Sequence, residues 1–261
     1  MLNRDAIYLK VSKYGSLACL GFFLILVLYL NNHYPPLFYS TENFYKIFGK
    51  ASCLPHQCFC ENIDSNRIAQ PINSLTNIFY IYTGIGILFS LQKCNLFSIL
   101  YAYITIFLGL GSFFYHATMT FFGQWWDVFF MYVYVLFLIF FLIYKSQLAN
   151  KRILVVIYFV ILTISGIFLY LYPNSRRILF GFYVFLTIFA FYITNKKIKI
   201  LYKKYFFQSL FLFIIAYTIW ILDFFKIICN PHSPIQGHGI WHTITSMVIL
   251  YLYIFFKKNF Y

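Results

Sequence analysis

Hydrophobic positions in this chain fall in long runs, and polar positions gather in the segments between them. The runs cover about residues 15–31, 74–91, 96–117, 125–144, 153–172, 178–194, 205–228 and 238–256. Each is near the roughly 17 to 25 residues that an α-helix needs to cross the hydrocarbon layer, so the pattern predicts eight membrane helices. Arg4, Lys10 and Lys13 precede the first run. No small-residue cleavage pattern follows it, which predicts a retained anchor and not a signal peptide.

Composition agrees with an all-α membrane protein. Of 261 residues, 62% are hydrophobic, 25% aromatic and only 10% charged, against roughly a quarter charged in soluble domains. The formal charge of +14 would point to nucleic acid in a soluble domain. Here the basic residues sit in connectors, where Lys and Arg set membrane orientation. With the N-terminus inside, fourteen fall on the inner side and five on the outer: Lys46, Lys50, Arg67, Arg176 and Arg177. That split predicts both termini in the cytoplasm, and implies neither a nucleic acid nor a soluble protein partner. It also brings His116, Asp127, Asp223, Cys229 and His238 to helix ends at one extracytoplasmic face.

The division that follows is a tail and anchor helix over 1–31, an extracytoplasmic cap loop over 32–73, a seven-helix core over 74–256 and a tail over 257–261. The cap holds Pro35-Pro36 and the run Cys58-Phe-Cys-Glu61-Asn, and is too long for an idle connector. The basic stretch Asn195–Lys204 reads as a topology determinant. The fifth and sixth runs carry almost no polar residue and are expected to pack against lipid and neighbouring helices, with no part in chemistry. Cys19 and Cys94 fall in or near the inner half, while Cys53, Cys58, Cys60 and Cys229 lie outside, where disulfides persist. Four cysteines allow three connectivities.

An ionisable side chain in hydrocarbon costs at least about 2.5 kcal/mol unless compensated, so each one raises a functional question. Ser112 and His116 are four apart and share a helix face, as do Asn73 and Asn77. His238 and His242 repeat the spacing around Trp241. Three histidines from two helices at one depth supply the protein ligands of a catalytic zinc, with the fourth position left for water. Gly109 and Gly111 let their helix approach a neighbour closely. Asp127 is placed to face that water, or else to complement a helix dipole. Asp223 either orients a ligand histidine or makes a helix-packing hydrogen bond. Glu61 is a cap-loop surface residue or a ligand in the lid of the site. His33, His56 and His232 fall in loops and read as surface residues.

These blocks, Cys60-Glu61 with Ile68-Ala69 and Asn73-x-x-x-Asn77, Gly109-x-Gly-Ser112-x-x-Tyr-His116-x-Thr118 with Gln124 and Asp127, and His238-x-x-Trp241-His242, resemble the alkaline ceramidase family. That family belongs to a superfamily of seven-helix membrane hydrolases with the adiponectin-receptor-like and Per1-like proteins. The resemblance covers about residues 58–256, with the first helix outside it. It implies a zinc on His116, His238 and His242, a water handled by Asp127 and Ser112, and hydrolysis of a ceramide-like lipid amide to sphingoid base and fatty acid. It further implies a Cys60–Cys229 disulfide, leaving Cys53 with Cys58. Where the family's cap supplies acidic groups to a structural calcium, this chain keeps Glu61 but has Cys58 and Gln70. The departure speaks against a calcium site of that kind, since a hard cation gains from carboxylate oxygens. The competing functions are a zinc-dependent ester hydrolase of glycerolipids, and a non-enzymatic seven-helix receptor or transporter.

Overall fold

A computed structural model describes residues 4–33, 47–54, 56, 58–63 and 68–261. Pro35-Pro36, Lys46, Arg67 and much of the expected cap lie outside the described residues. The helices are α1 (Arg4–His33), α2 (Pro71–Leu75), α3 (Ile78–Phe89), α4 (Leu96–Thr118), α5 (Phe121–Lys145), α6 (Lys151–Leu171), α7 (Arg176–Lys197), α8 (Lys203–Phe224) and α9 (Gly237–Phe260). Among the described residues, eight spans are long and apolar enough to cross a membrane, with α2 and α3 together forming the second. This is a multi-pass, all-helical membrane protein.

Several boundaries differ from the sequence expectation: α5 starts four residues earlier, α8 ends four residues earlier, and α9 runs on to Phe260 through most of the expected 257–261 tail. The second span starts at Pro71, because proline suits the first turn of a helix, where its missing N–H has no partner to lose. The first helix runs from Arg4 to His33, starting well before its apolar stretch and ending two residues past it, so that His33 closes a helix instead of lying in a loop.

The connection between α4 and α5 sets the geometry of the site. Met119 adopts a left-handed conformation (φ 51°) that stops α4. Thr120 then caps α5 by accepting from the Gly123 N–H at 3.1 Å, which satisfies one of the donors that a helix start leaves free. The short turn is pinned by the loop before α2: Ala51 N–H donates to the Met119 carbonyl, and Phe121 N–H to that of Gly49, each at 3.0 Å.

Close helix contact depends on two glycines. A Cβ on Gly109 would lie 3.0 Å from the Asn77 carbonyl oxygen, and one on Gly111 only 2.5 Å from the Trp126 indole. Gly109 therefore brings α4 against the junction of α2 and α3, and Gly111 brings it against α5. Helix α1 packs on the same group of helices, through Phe23 edge-on to Phe113 at 4.7 Å and the Lys13 ammonium donating to the Leu91 carbonyl at 3.1 Å. Its outward side chains, such as Val11, Phe22, Ile25 and Leu28, are exposed and apolar, as a lipid-facing surface requires.

Helices α7 and α8 touch at separated points. Phe191 stacks on Phe206 at 3.8 Å near their connection, Phe180 faces Phe213 at 6.4 Å, and the Arg177 guanidinium lies 3.7 Å from the Phe224 ring centre at the opposite end. A cavity of about 390 Å³ runs inside the bundle behind this seam.

Candidate active site at one end of the bundle

The end of α4, the start of α5, the end of α8 and the start of α9 come together at one end of the molecule. His116, His238 and His242 meet there, each almost fully buried, with one ring nitrogen of each lying within 4.8 Å of the others. His116 Nε2 and His238 Nε2 are 3.1 Å apart. Zinc–nitrogen bonds of about 2.0–2.1 Å in a tetrahedron put ligand nitrogens roughly 3.3 Å apart. The three rings could therefore hold a metal ion, and the His116–His238 spacing matches that of two zinc ligands.

The hydrogen bonds behind the rings select which nitrogen is available. Gln70 gives its amide N–H to the Glu61 carbonyl at 3.2 Å, which turns its Oε1 toward His116 Nδ1 at 2.8 Å. Nδ1 must then carry the proton, leaving the Nε2 lone pair free. The Thr76 hydroxyl spends its one hydrogen on the Ile72 or Asn73 carbonyl, at 2.9 and 3.1 Å. Toward His242 Nδ1, 3.0 Å away, it can only accept, so His242 likewise keeps Nε2 free. His238 differs: its buried Nδ1 has no hydrogen-bond partner among the described residues, and the ring is instead held by Phe59, stacked at 3.7 Å and 28°.

Asp223 orients none of the three rings. Its Oδ2 accepts the Cys60 N–H at 3.1 Å, and the carboxylate faces the backbone N–H groups of Gly237 and His238. Of its two expected roles the packing one is realised, because a carboxylate beside the free amides of a helix start is better compensated there. Asp223 thus fixes the start of α9, and through it the height of His238.

Glu61 is neither a surface residue nor turned toward the histidines. It is buried, and its two carboxylate oxygens accept from Ile72 N–H at 2.7 Å and Asn73 N–H at 2.8 Å. Burial pushes its carboxyl up to about 7 against the lowering effect of those two N–H groups, with the Asp223 charge adding to the rise. Glu61 therefore caps α2, the helix that brings Thr76 to His242, and its carbonyl sets the orientation of Gln70. Asn77 donates to the Asn73 carbonyl at 2.8 Å and the Ser74 carbonyl at 3.2 Å, so this pair reinforces the α2–α3 junction.

Both expected disulfides are present. Cys60–Cys229 ties the loop before α2 to the segment between α8 and α9, and Cys53–Cys58 closes a small ring. The loop also bonds directly to the end of α4, from Ala69 N–H to the Ala117 carbonyl and from Gln70 N–H to the His116 carbonyl, each at 3.0 Å. His56 and His232 are exposed, as expected.

Ser112 and Asp127 line the cavity beside the histidines. The Ser112 hydroxyl is hydrogen-bonded to Asp127 and lies 3.4 Å from His242 Nε2. Gln124 accepts the Ser52 N–H and donates to the Tyr115 hydroxyl at 3.1 Å, steadying the first turn of α5 below Asp127. Away from this end the cavity is apolar, walled by residues such as Leu108, Val135, Val184, Leu210, Phe213 and Val248. Trp241 forms part of the wall and packs at 5.8 Å from Phe213 of α8. The sixth apolar run, expected to face only lipid and neighbours, supplies Phe180 and Val184 to this cavity, and the connector residues Arg176 and Arg177, which open the same helix, line it too; α7 is a wall of the site. Thr76 and Phe59 were also missed: a threonine early in a span and an aromatic between cysteines carry no spacing signal.

No curated protein sequence matches the chain at a significant level. The family model described as Ceramidase matches residues 56–259, from the loop before α2 almost to the end of α9 and including every polar residue of the site. The chain belongs to the Ceramidase family.

Proposed function

We propose that this protein is a membrane-embedded, zinc-dependent amidohydrolase that cleaves the amide of ceramide or a ceramide-like lipid to a sphingoid base and a fatty acid. One observation carries the reading: three buried imidazoles converge beside a carboxylate and a hydroxyl at the head of an apolar cavity. His116, His238 and His242 would hold the metal. A zinc bound there would lower the pKa of its water toward neutrality and polarise the substrate carbonyl.

The chain's own groups supply the rest. Asp127 takes the proton of the attacking water and returns it to the departing amine, so that amide and water become carboxylic acid and amine. Ser112 gives its one hydrogen to the Asp127 carboxylate at rest; once Asp127 holds the water's proton it can donate to the Ser112 oxygen, which frees the Ser112 hydrogen for the oxygen that gains charge. The apolar cavity receives the lipid chains, and the seam between α7 and α8 offers sideways access from the bilayer. Both termini are assigned to the cytoplasm and the site to the extracytoplasmic face. The basic residues favour that side for the termini, and the disulfides cluster at the site's end, where an oxidising compartment preserves them.

Gln70 and Thr76 act by holding two ligand rings. Gln70→Leu and Thr76→Val are each expected to weaken zinc binding about 10- to 100-fold, read by competition with a graded chelator. Unchanged affinity in both would contradict ring orientation as their role.

The test of the reaction class is a mixed membrane-lipid extract incubated with wild-type protein and with Asp127→Ala. The wild type is expected to release fatty acid and long-chain amine in equal amounts, and the variant neither. Fatty acid without long-chain amine would assign ester cleavage instead. Release of neither across a broad panel would leave a receptor or transporter as the better account.

A further inference from the structure

Two arginines stand in the cavity at the same end as the histidines, with no role in the hydrolysis described above. Arg176 and Arg177 open α7 and line the cavity together with Asp127, His238 and His242. They are two of only five basic residues assigned to the outer side, so orientation does not call for them. Arg176 is held in place by the Pro173 carbonyl at 2.6 Å and the Ser52 hydroxyl at 3.1 Å, to both of which its Nη1 donates. It is near enough to act electrostatically on Asp127. Arg177 is half-buried, with its guanidinium 3.7 Å from the ring centre of Phe224 and 5.5 Å from that of Trp220. It acts in the same way on His238.

Neither guanidinium has an ion-pair partner among the described residues, and the Arg177 N–H groups have no hydrogen-bond acceptor among them. Among the described residues, Asp127 is the one carboxylate on the cavity wall, against two guanidinium groups. Aromatic faces compensate part of the cost of a desolvated cation, but they leave its forked donors unused. Those donors match a phosphate, which they can grip with paired hydrogen bonds. The arginines share the cavity wall with Asp127, His238 and His242. A lipid amide bound at the histidines and a phosphate borne on its headgroup would therefore occupy one cavity.

Resting on the hydrolase reading of this site, we infer that Arg176 and Arg177 form an anion subsite, and that the substrates the enzyme prefers are lipid amides whose headgroup carries a phosphate. The chemistry is that of a phosphate ester held by two guanidinium groups, with the ester borne on a lipid.

The test compares hydrolysis of an N-acyl sphingoid base bearing a 1-phosphate with that of its neutral counterpart, each in neutral-detergent micelles. Wild type is expected to show the higher kcat/KM for the phosphorylated lipid. In Arg177→Gln that preference should fall about 10- to 100-fold, the range for losing a charged hydrogen bond; Arg177→Lys, which keeps a cation over Phe224, should retain part of it. A wild type that favours the neutral lipid, or a preference unchanged in Arg177→Gln, overturns the subsite while leaving the hydrolase intact. If the wild type hydrolyses neither lipid, the hydrolase reading fails and binding decides the subsite. Wild type should then bind a long-chain alkyl phosphate more tightly than the matching alkyl alcohol, and Arg177→Gln should lose the difference. Equal affinity for the two amphiphiles, or inorganic phosphate bound as tightly as the alkyl phosphate, would overturn the assignment to a lipid headgroup.

Discussion

Replacing His238 and His242 together by alanine is expected to lower bound zinc from about one ion per chain to background, and to abolish hydrolysis. The two rings supply two of the three nitrogens that converge at the head of the cavity. With both gone, His116 alone remains, still fixed by Gln70. Loss of a metal that contributes several kcal/mol to the transition state, at about 1.4 kcal/mol per tenfold in rate, amounts to a fall of about a thousandfold or more. Metal analysis of purified protein reads the first effect, and product release the second. Because both rings are buried and Phe59 stacks on His238, His242→Gln serves as the milder companion. It keeps side-chain volume and the helix, and should still lose most of the metal. Full metal retention in either variant would refute the ligand set.

Asp127→Asn is expected to separate metal from chemistry. Asp127 touches Ser112 and belongs to no ring-orienting hydrogen bond, so zinc content should stay at the wild-type level. A neutral amide can neither take the water's proton nor return it to the amine, and kcat should drop about 10²- to 10⁴-fold with KM little altered. Joint loss of metal and activity would mean that Asp127 maintains the site and does not move the proton.

Much of this architecture was legible in the chain. Spans of roughly twenty apolar residues have one physical solution in lipid, which is why all eight were recovered. The gathering of His116, Asp127, Asp223 and His238 at one end followed from counting helix ends. What the chain hid is equally physical. Apolar residues facing a lipid-binding cavity and those facing the bilayer meet the same solvent, so the composition of α7 could not distinguish them. Gln70 and Thr76 are neutral acceptors whose importance comes from where another residue sends its proton. Asp223 illustrates the converse. A buried carboxylate near the histidines suggests an imidazole partner, yet the Cys60 N–H claims it and it faces the amides at the start of α9. The two arginines of α7 entered the charge count as connector residues and proved to line the cavity.

The central claim is hydrolysis of a lipid amide by a water activated at the three histidines. Its most direct test runs the reaction in ¹⁸O-labelled water with zinc-loaded wild-type protein and a defined N-acyl sphingoid lipid. The account predicts one labelled oxygen in the released fatty acid and an equal amount of unlabelled long-chain amine, with both lost on zinc removal and regained when zinc is restored. Undiminished amine release after complete zinc removal, or a fatty acid free of label, would contradict it.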